Sequence, residues 1–187
     1  MVIAAHLPRA PGSANSTPPP GGGTLQMIWD ALDAVPDPEI PVVSIRELGI
    51  LRDVRHTSDG VEIIITPTYS GCPAMGQIED DIRAALAQHQ ISARITTQLA
   101  PAWTTDWISA AAKAKLRSYG IAPPHTLTPP RDKVIRFAPR NQASDAVACP
   151  QCGSVNTTET SHFGSTACKA LYKCLDCREP FDYFKPY

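Results

Sequence analysis

Apolar positions in the first part of the chain alternate between two periods. Leu25, Ile28, Trp29, Leu32 and Val35 recur at helical spacing behind Thr24, a good N-cap residue, and Pro36 ends the run. A helix is therefore expected from Thr24 to Val35. In the DPEIP segment that follows, two prolines hold the backbone around Asp37 and Glu39 in extended or turn conformations. Leu51 to His56 and Val61 to Thr66 then flank Thr57-Ser58-Asp59-Gly60, which reads as a β-hairpin with a glycine-containing turn. After Pro67 and the TYSGCP stretch, Ile78, Ile82, Ala85, Leu86 and His89 fall on one helical stripe, with Glu79, Asp80, Arg83 and Gln88 facing away. Ile91 to Leu99 returns to strand. Strand, helix and strand in that order imply a crossover that sets the third strand parallel to its partner. Thr104, Thr105 and Asp106 form the cap of a last helix, whose Ala/Lys-rich body runs through Tyr119 to a stop at Gly120.

The flanks read differently. Residues 1–23 form a Pro/Gly/Ser/Ala tail that has too little apolar surface to offset its ordering entropy. A Pro-rich linker occupies 123–147, with one short strand expected at Val134 to Phe137. The 19 prolines of the 187-residue chain are expected largely outside regular elements.

The last forty residues carry the most specific signal. Cys149-Pro-Gln-Cys152 and Cys174-Leu-Asp-Cys177 are two C-x-x-C knuckles separated by 21 residues, a spacing that lets two turns bring four thiolates into a tetrahedron. Four thiolates suit a structural zinc ion, although the same set also holds a single iron. The module from 148 to 187 resembles a zinc ribbon. From Ala148 onward four bases balance four acids, so the clustered positive charge of a nucleic-acid face is missing. Phe163, Tyr172, Phe181, Tyr183 and Phe184 are accordingly expected to form its core. Cys168 is left over as an additional thiol. It could be a further ligand, a transfer thiol or a small buried residue, burial being the default, and His162 is open in the same way.

A second thiol candidate lies in the first domain. Cys72 precedes Pro73 at the expected start of the second helix, where free amides and the helix dipole favour thiolate, so its pKa is expected below that of a free cysteine. A buried helix-capping role is the even alternative. Gly71 permits close approach of a partner or ligand. His56 and His89 are the nearest histidines in sequence, and neither is placed as a base for a thiol nucleophile. Asp37 and Glu39 could line the same edge or simply serve their turn.

Charge and hydropathy add little beyond compartment and surface. Thr24 to Asp81 holds eleven acids against three bases, and Ile82 to Val147 nine bases against three acids, a polarity suited to docking a partner protein or simply to solvating each half. No apolar run reaches the roughly 20 residues that span a bilayer, so a cytoplasmic, membrane-free protein with reduced cysteines is expected.

DPEIPVVSIRELGI, the hairpin, and TPTYSGCPAM leading into a helix together resemble the SufT-type iron–sulfur assembly domain; their union with the four-cysteine module resembles the PaaD-type accessory proteins of the phenylacetyl-CoA epoxidase system. The resemblance implies an α+β fold, in which a small three-stranded mixed sheet packs with helices over 24–122, followed by a C-terminal zinc-ribbon-like module. It marks Cys72 as the functional thiol, with Asp37, Glu39, Thr66 and Gly71 around it. It further implies a role in maturing iron or iron–sulfur centres of the epoxidase, with its oxygenase and reductase subunits and iron–sulfur carrier proteins as partners, and no catalysis by this chain. The alternative is a structural or docking subunit of that complex. Clusters commonly take four protein thiolates, so a homodimer or an outside thiol is expected to complete any transient cluster at Cys72.

Overall fold

The first helix, α1, runs Gly23–Asp33 and buries Ile28 and Leu32 completely. The protein is seen here in a computed structural model that describes residues 23–125 and 146–187. The tail ahead of α1, the body of the linker and the strand expected at 134–137 lie outside the described residues. Two strands follow, β1 (Leu51–Thr57) and β2 (Gly60–Ile65), paired antiparallel with Val54 opposite Ile63 and His56 opposite Val61. Then α2 (Met75–Ala87) buries Ile78, Ile82 and Leu86, and β3 (Ala93–Thr97) lies parallel to β2. The expected order of strand, crossover helix and parallel strand is thus present, in a sheet ordered β1-β2-β3. Central β2 buries Ile63, Ile64 and Ile65 in succession, which fits a strand covered on both faces. His89, expected on the buried stripe of α2, lies beyond the helix end and is exposed.

The last helix of the first domain differs from its expectation. Thr104 does act as a cap, accepting from the Asp106 amide, but it caps only a 3₁₀ turn, Thr105–Trp107. The α-helix proper, α3 (Ala110–Ser118), has its own cap in Ser109, whose Oγ accepts from Ala112 N at 3.0 Å. Packing explains the split. Gly49, at φ +73°, lies so close to Trp107 that an added Cβ would sit 2.6 Å from the tryptophan Cβ. The 3₁₀ turn therefore docks onto the Ile45–Leu51 segment, and α3 restarts where Ser109 N donates to Glu47 O.

The ribbon is built from β5 (Thr157–Ser161), β6 (Lys169–Cys174) and β7 (Pro180–Phe184), which pair antiparallel in order. A fourth strand comes from the first domain. After Gly120, at φ +93°, residues Ile121–Ala122 form β4 and pair parallel with β7, giving the order β4-β7-β6-β5. Trp103 strengthens this junction: its ring stands 5.9 Å from Phe184 and 6.2 Å from Tyr187, while its Nε1 donates to Leu48 O at 3.0 Å. Phe184 and Cys168 belong to the same buried cluster as α1, α2 and β2, so the two domains share a core. Phe181, Tyr183 and Tyr172 pack with Cys149 and Cys174 in a second cluster, as expected of core aromatics. Phe163 does not. It is 62% exposed, edge-on to His162 and covered by Lys185, because its loop extends past the β5–β6 pairing.

Candidate metal and thiol sites

The two knuckles converge. Cys149 and Cys177 Sγ are 3.7 Å apart, Cys152 and Cys174 Sγ 3.6 Å, and all four sulfurs lie within 4.8 Å of one another. A tetrahedral zinc site with Zn–S bonds of about 2.3 Å places its sulfurs about 3.8 Å apart, so these residues fit that ion. Local backbone geometry sets the arrangement. Gly153, at φ +76°, turns the first knuckle back so that its amide donates to Cys149 O at 2.9 Å, and Cys149 N donates to Ser154 O at 2.8 Å. The knuckles are tied together by Asp176, which accepts from Asn156 Nδ2 at 2.7 Å and from Ser154 Oγ. The amide of Cys177 aimed at Cys174 helps hold that thiol down to about 7, a value suited to a thiolate ligand. His162 stands outside this set, exposed and 3.2 Å from Glu159.

A second group of candidate side chains gathers where the domains meet. Asp37, only 6% exposed, accepts hydrogen bonds from the Glu39 amide at 3.0 Å and the Ile40 amide at 2.8 Å, and so fixes the DPEIP turn. Burial raises its pKa. Glu39 is raised too, by burial and then by the neighbouring Asp37. Thr66 is buried and donates its amide to Ile50 O at 2.8 Å, which anchors the exit of β2 toward Cys72. Gly71 is exposed, and a Cβ there would meet only the Tyr69 ring at an ordinary 3.5 Å. Nothing in the backbone demands glycine.

Cys72 departs from expectation. The helix starts at Met75 with Ala74 as cap, and Cys72 sits in the preceding turn, its amide donating to Tyr69 O at 3.2 Å. Its thiol is half-buried and is pushed up to about 11, not down, because burial outweighs the one favourable amide from Ala74 and the acids Glu39, Cys168 and Asp37 add to the shift. The residue is thus a neutral thiol at pH 7.

Cys168 is buried, as its default reading had it, but its surroundings are not merely apolar. Thr166 Oγ1 lies 3.0 Å from its sulfur, and Glu39 Oε2 faces the sulfur at 4.0 Å across the domain junction. Burial again raises the thiol, with Glu39 adding to the effect. Lys169 is buried beside it, its Nζ 3.3 Å from Asp182 Oδ2, and its charge favours ionisation of Asp37, Glu39 and Cys168. Sequence reasoning set Asp37 and Glu39 near Cys72 as an open alternative but did not bring Cys168 to them. Tyr69 and Lys169 were not singled out; Tyr69 lies inside the TPTYSGCPAM stretch, which could have flagged it, whereas no motif marks Lys169. His56 and His89 are exposed, away from this group.

Comparison with known proteins places the chain in a family. Residues 137–185 match the PaaD zinc beta ribbon domain, and residues 25–96 match the family described as iron-sulfur cluster assembly protein. One component of the "Putative 1,2-phenylacetyl-CoA epoxidase" of Escherichia coli (strain K12) is 48% identical over 164 residues, covering 84% of this chain and 90% of its own. The chain belongs to the PaaD family of epoxidase subunits. Over the first domain, the Fe-S protein maturation auxiliary factor YitW of Bacillus subtilis (strain 168) is 37% identical across 92 residues, 48% of this chain and 89% of that protein. Among solved structures, a domain of unknown function (DUF59) from Bacillus anthracis is 30% identical, with a TM-score of 0.45, covering 49% of this chain and 89% of that one. No helix among the described residues is long and apolar enough to cross a membrane.

Proposed function

We propose that this PaaD-family chain is a cytoplasmic accessory factor that assembles or inserts iron or iron–sulfur centres in a phenylacetyl-CoA epoxidase complex, and does not itself catalyse the epoxidation. One observation carries the reading: Glu39 and Cys72, motif residues of the assembly domain, share one partly buried junction with Cys168 of the ribbon, on a turn that Asp37 fixes. The similarity to an iron–sulfur maturation factor over the same residues supports it. In this reading Cys149, Cys152, Cys174 and Cys177 hold a structural zinc ion, which fixes the ribbon that docks the oxygenase and reductase subunits. Cys72 handles the iron species, received from a carrier protein.

The test is made on the client. Oxygenase produced alongside a Cys72→Ala chain should fold and assemble but lack its metal centre, whereas the wild-type chain yields metallated oxygenase. Fully metallated oxygenase in both cases would reject the assembly role. That result would favour the second reading, a docking subunit without cluster chemistry, which the charge asymmetry between residues 24–81 and 82–147 also fits.

A further inference from the structure

Cys72 and Cys168 come from different domains, yet both pack in the shared core, where Cys168 faces Glu39 and both thiols feel the charges of Glu39 and Asp37. Glu39 Oε2 is 4.0 Å from Cys168 Sγ, and the charges of Glu39, Asp37 and Cys168 all act on Cys72. We propose that Cys72, Cys168 and Glu39 form a single labile ligand set, split between the assembly domain and the ribbon, that holds an iron–sulfur species as cargo. This rests on the assembly reading and says which residues grip what is delivered.

Charge is the first argument. Fully ionised, Asp37, Glu39, Cys72 and Cys168 would place four negative charges in one partly buried space. The nearby cation is Lys169, and its ammonium already faces Asp182 at 3.3 Å. Tyr69 and Tyr187 border the same space and add no positive charge; both are themselves raised by burial and by these thiols. Burial and mutual repulsion both disfavour the charged forms of these acids and thiols, and a cationic cargo bound among them relieves the repulsion. Loading is ligand exchange: each cysteine sulfur, and Glu39 through a carboxylate oxygen, replaces a donor thiolate or a water on iron, and each thiol proton passes to the departing thiolate or to solvent, with no electron transferred.

Geometry then says what kind of cargo fits. Among the described residues only the four ribbon cysteines bring three or more donor atoms within 4.8 Å of one another. The junction is therefore not a closed shell for one structural ion. An iron–sulfur cluster spaces its ligands more widely and commonly takes four thiolates. Two cysteines and one carboxylate leave positions for the thiols of a donor or an acceptor, which suits transfer more than storage. Asp37 is a positioning residue here, because its carboxylate is already used by the Glu39 and Ile40 amides. Thr166 holds Cys168 toward the junction at 3.0 Å. A cysteine present only to fill the core needs neither this hydroxyl nor a facing carboxylate.

The experiment uses the full-length, zinc-loaded chain, incubated without oxygen with iron(II) and sulfide and then desalted. Wild type should retain iron and sulfide, while Cys72→Ser and Cys168→Ser should each retain at least about tenfold less, with zinc unchanged. Zinc content reports that the ribbon is still folded. Wild-type iron in Cys168→Ser, or no iron in wild type, overturns the split site, yet leaves the assembly reading to the client test with Cys72→Ala. Should Cys168→Ser lose zinc as well, Glu39→Gln decides, since it lies outside the ribbon: reduced iron with zinc retained supports the proposal, and undiminished iron overturns it.

Discussion

The two thiol sets of this molecule are assembled over very different distances. In the ribbon, Cys152 and Cys174 are 22 residues apart and meet through two local turns and one hairpin. At the junction, Glu39 and Cys168 are 129 residues apart and meet only because β4 and Trp103 bind the domains together. Their electrostatics differ as well. In the ribbon, backbone amides help hold Cys174 near 7 while burial and the neighbouring thiols push Cys177 up to about 12, so one thiol is readied ahead of the others; at the junction burial raises both Cys72, to about 11, and Cys168. A site made of local turns is pre-set for permanent binding. A site made by packing two domains leaves its thiols protonated until cargo arrives.

The largest effect expected from breaking this contrast is on the ribbon. Metal binding supplies on the order of 10 kcal/mol of folding free energy in such small modules, so Cys174→Ser or strong chelation should unfold 148–187. Zinc content and loss of the cooperative unfolding transition of the ribbon check this. Next is the junction itself. Trp103→Ala removes a ring packed on Phe184 and a bond to Leu48 O, and should cost about 3–5 kcal/mol by denaturant unfolding. Zinc should remain bound.

Much of this was legible in advance where physics is local. The helical stripe of α2, the Thr57–Gly60 hairpin turn and the paired C-x-x-C knuckles each depend on residues a few positions apart, and each is present. The split of the last helix was not, because it answers to the close approach of Gly49 and Trp107, which no single segment contains. Nor was the pKa of Cys72. Helix-terminus reasoning set the helix start two residues too early, leaving Cys72 one favourable amide, and could not count the burial that outweighs it.

Smaller effects sharpen the same comparison. Asp37→Ala strands the amides of Glu39 and Ile40 and should cost about 1–2 kcal/mol, most of it recovered in Asp37→Asn. The sign with pH follows from burial. Since the native pKa of Asp37 is raised above its ordinary value of 3.8, its contribution favours folding most at low pH and is lost as pH rises through that window. Wild type should show this fall in an acid-range stability profile, and Asp37→Asn a smaller one, with the share due to buried Glu39 remaining. Smallest is Phe163→Ala, expected to change stability by less than about 0.5 kcal/mol because the ring is exposed, against about 3–5 kcal/mol for the buried Phe181→Ala. Thermal unfolding of the pair checks that the exposed ring of Phe163 contributes nothing to the ribbon core that Phe181 helps to form.

The central claim is that the two thiol sets take different metals, and metal analysis of one sample tests it most directly. Zinc, iron and acid-labile sulfide are measured on wild type and Cys72→Ala after anaerobic reconstitution. The account predicts zinc near one per chain in both, with iron and sulfide retained only by wild type. Zinc alone in every sample, or equal iron in both, would contradict it.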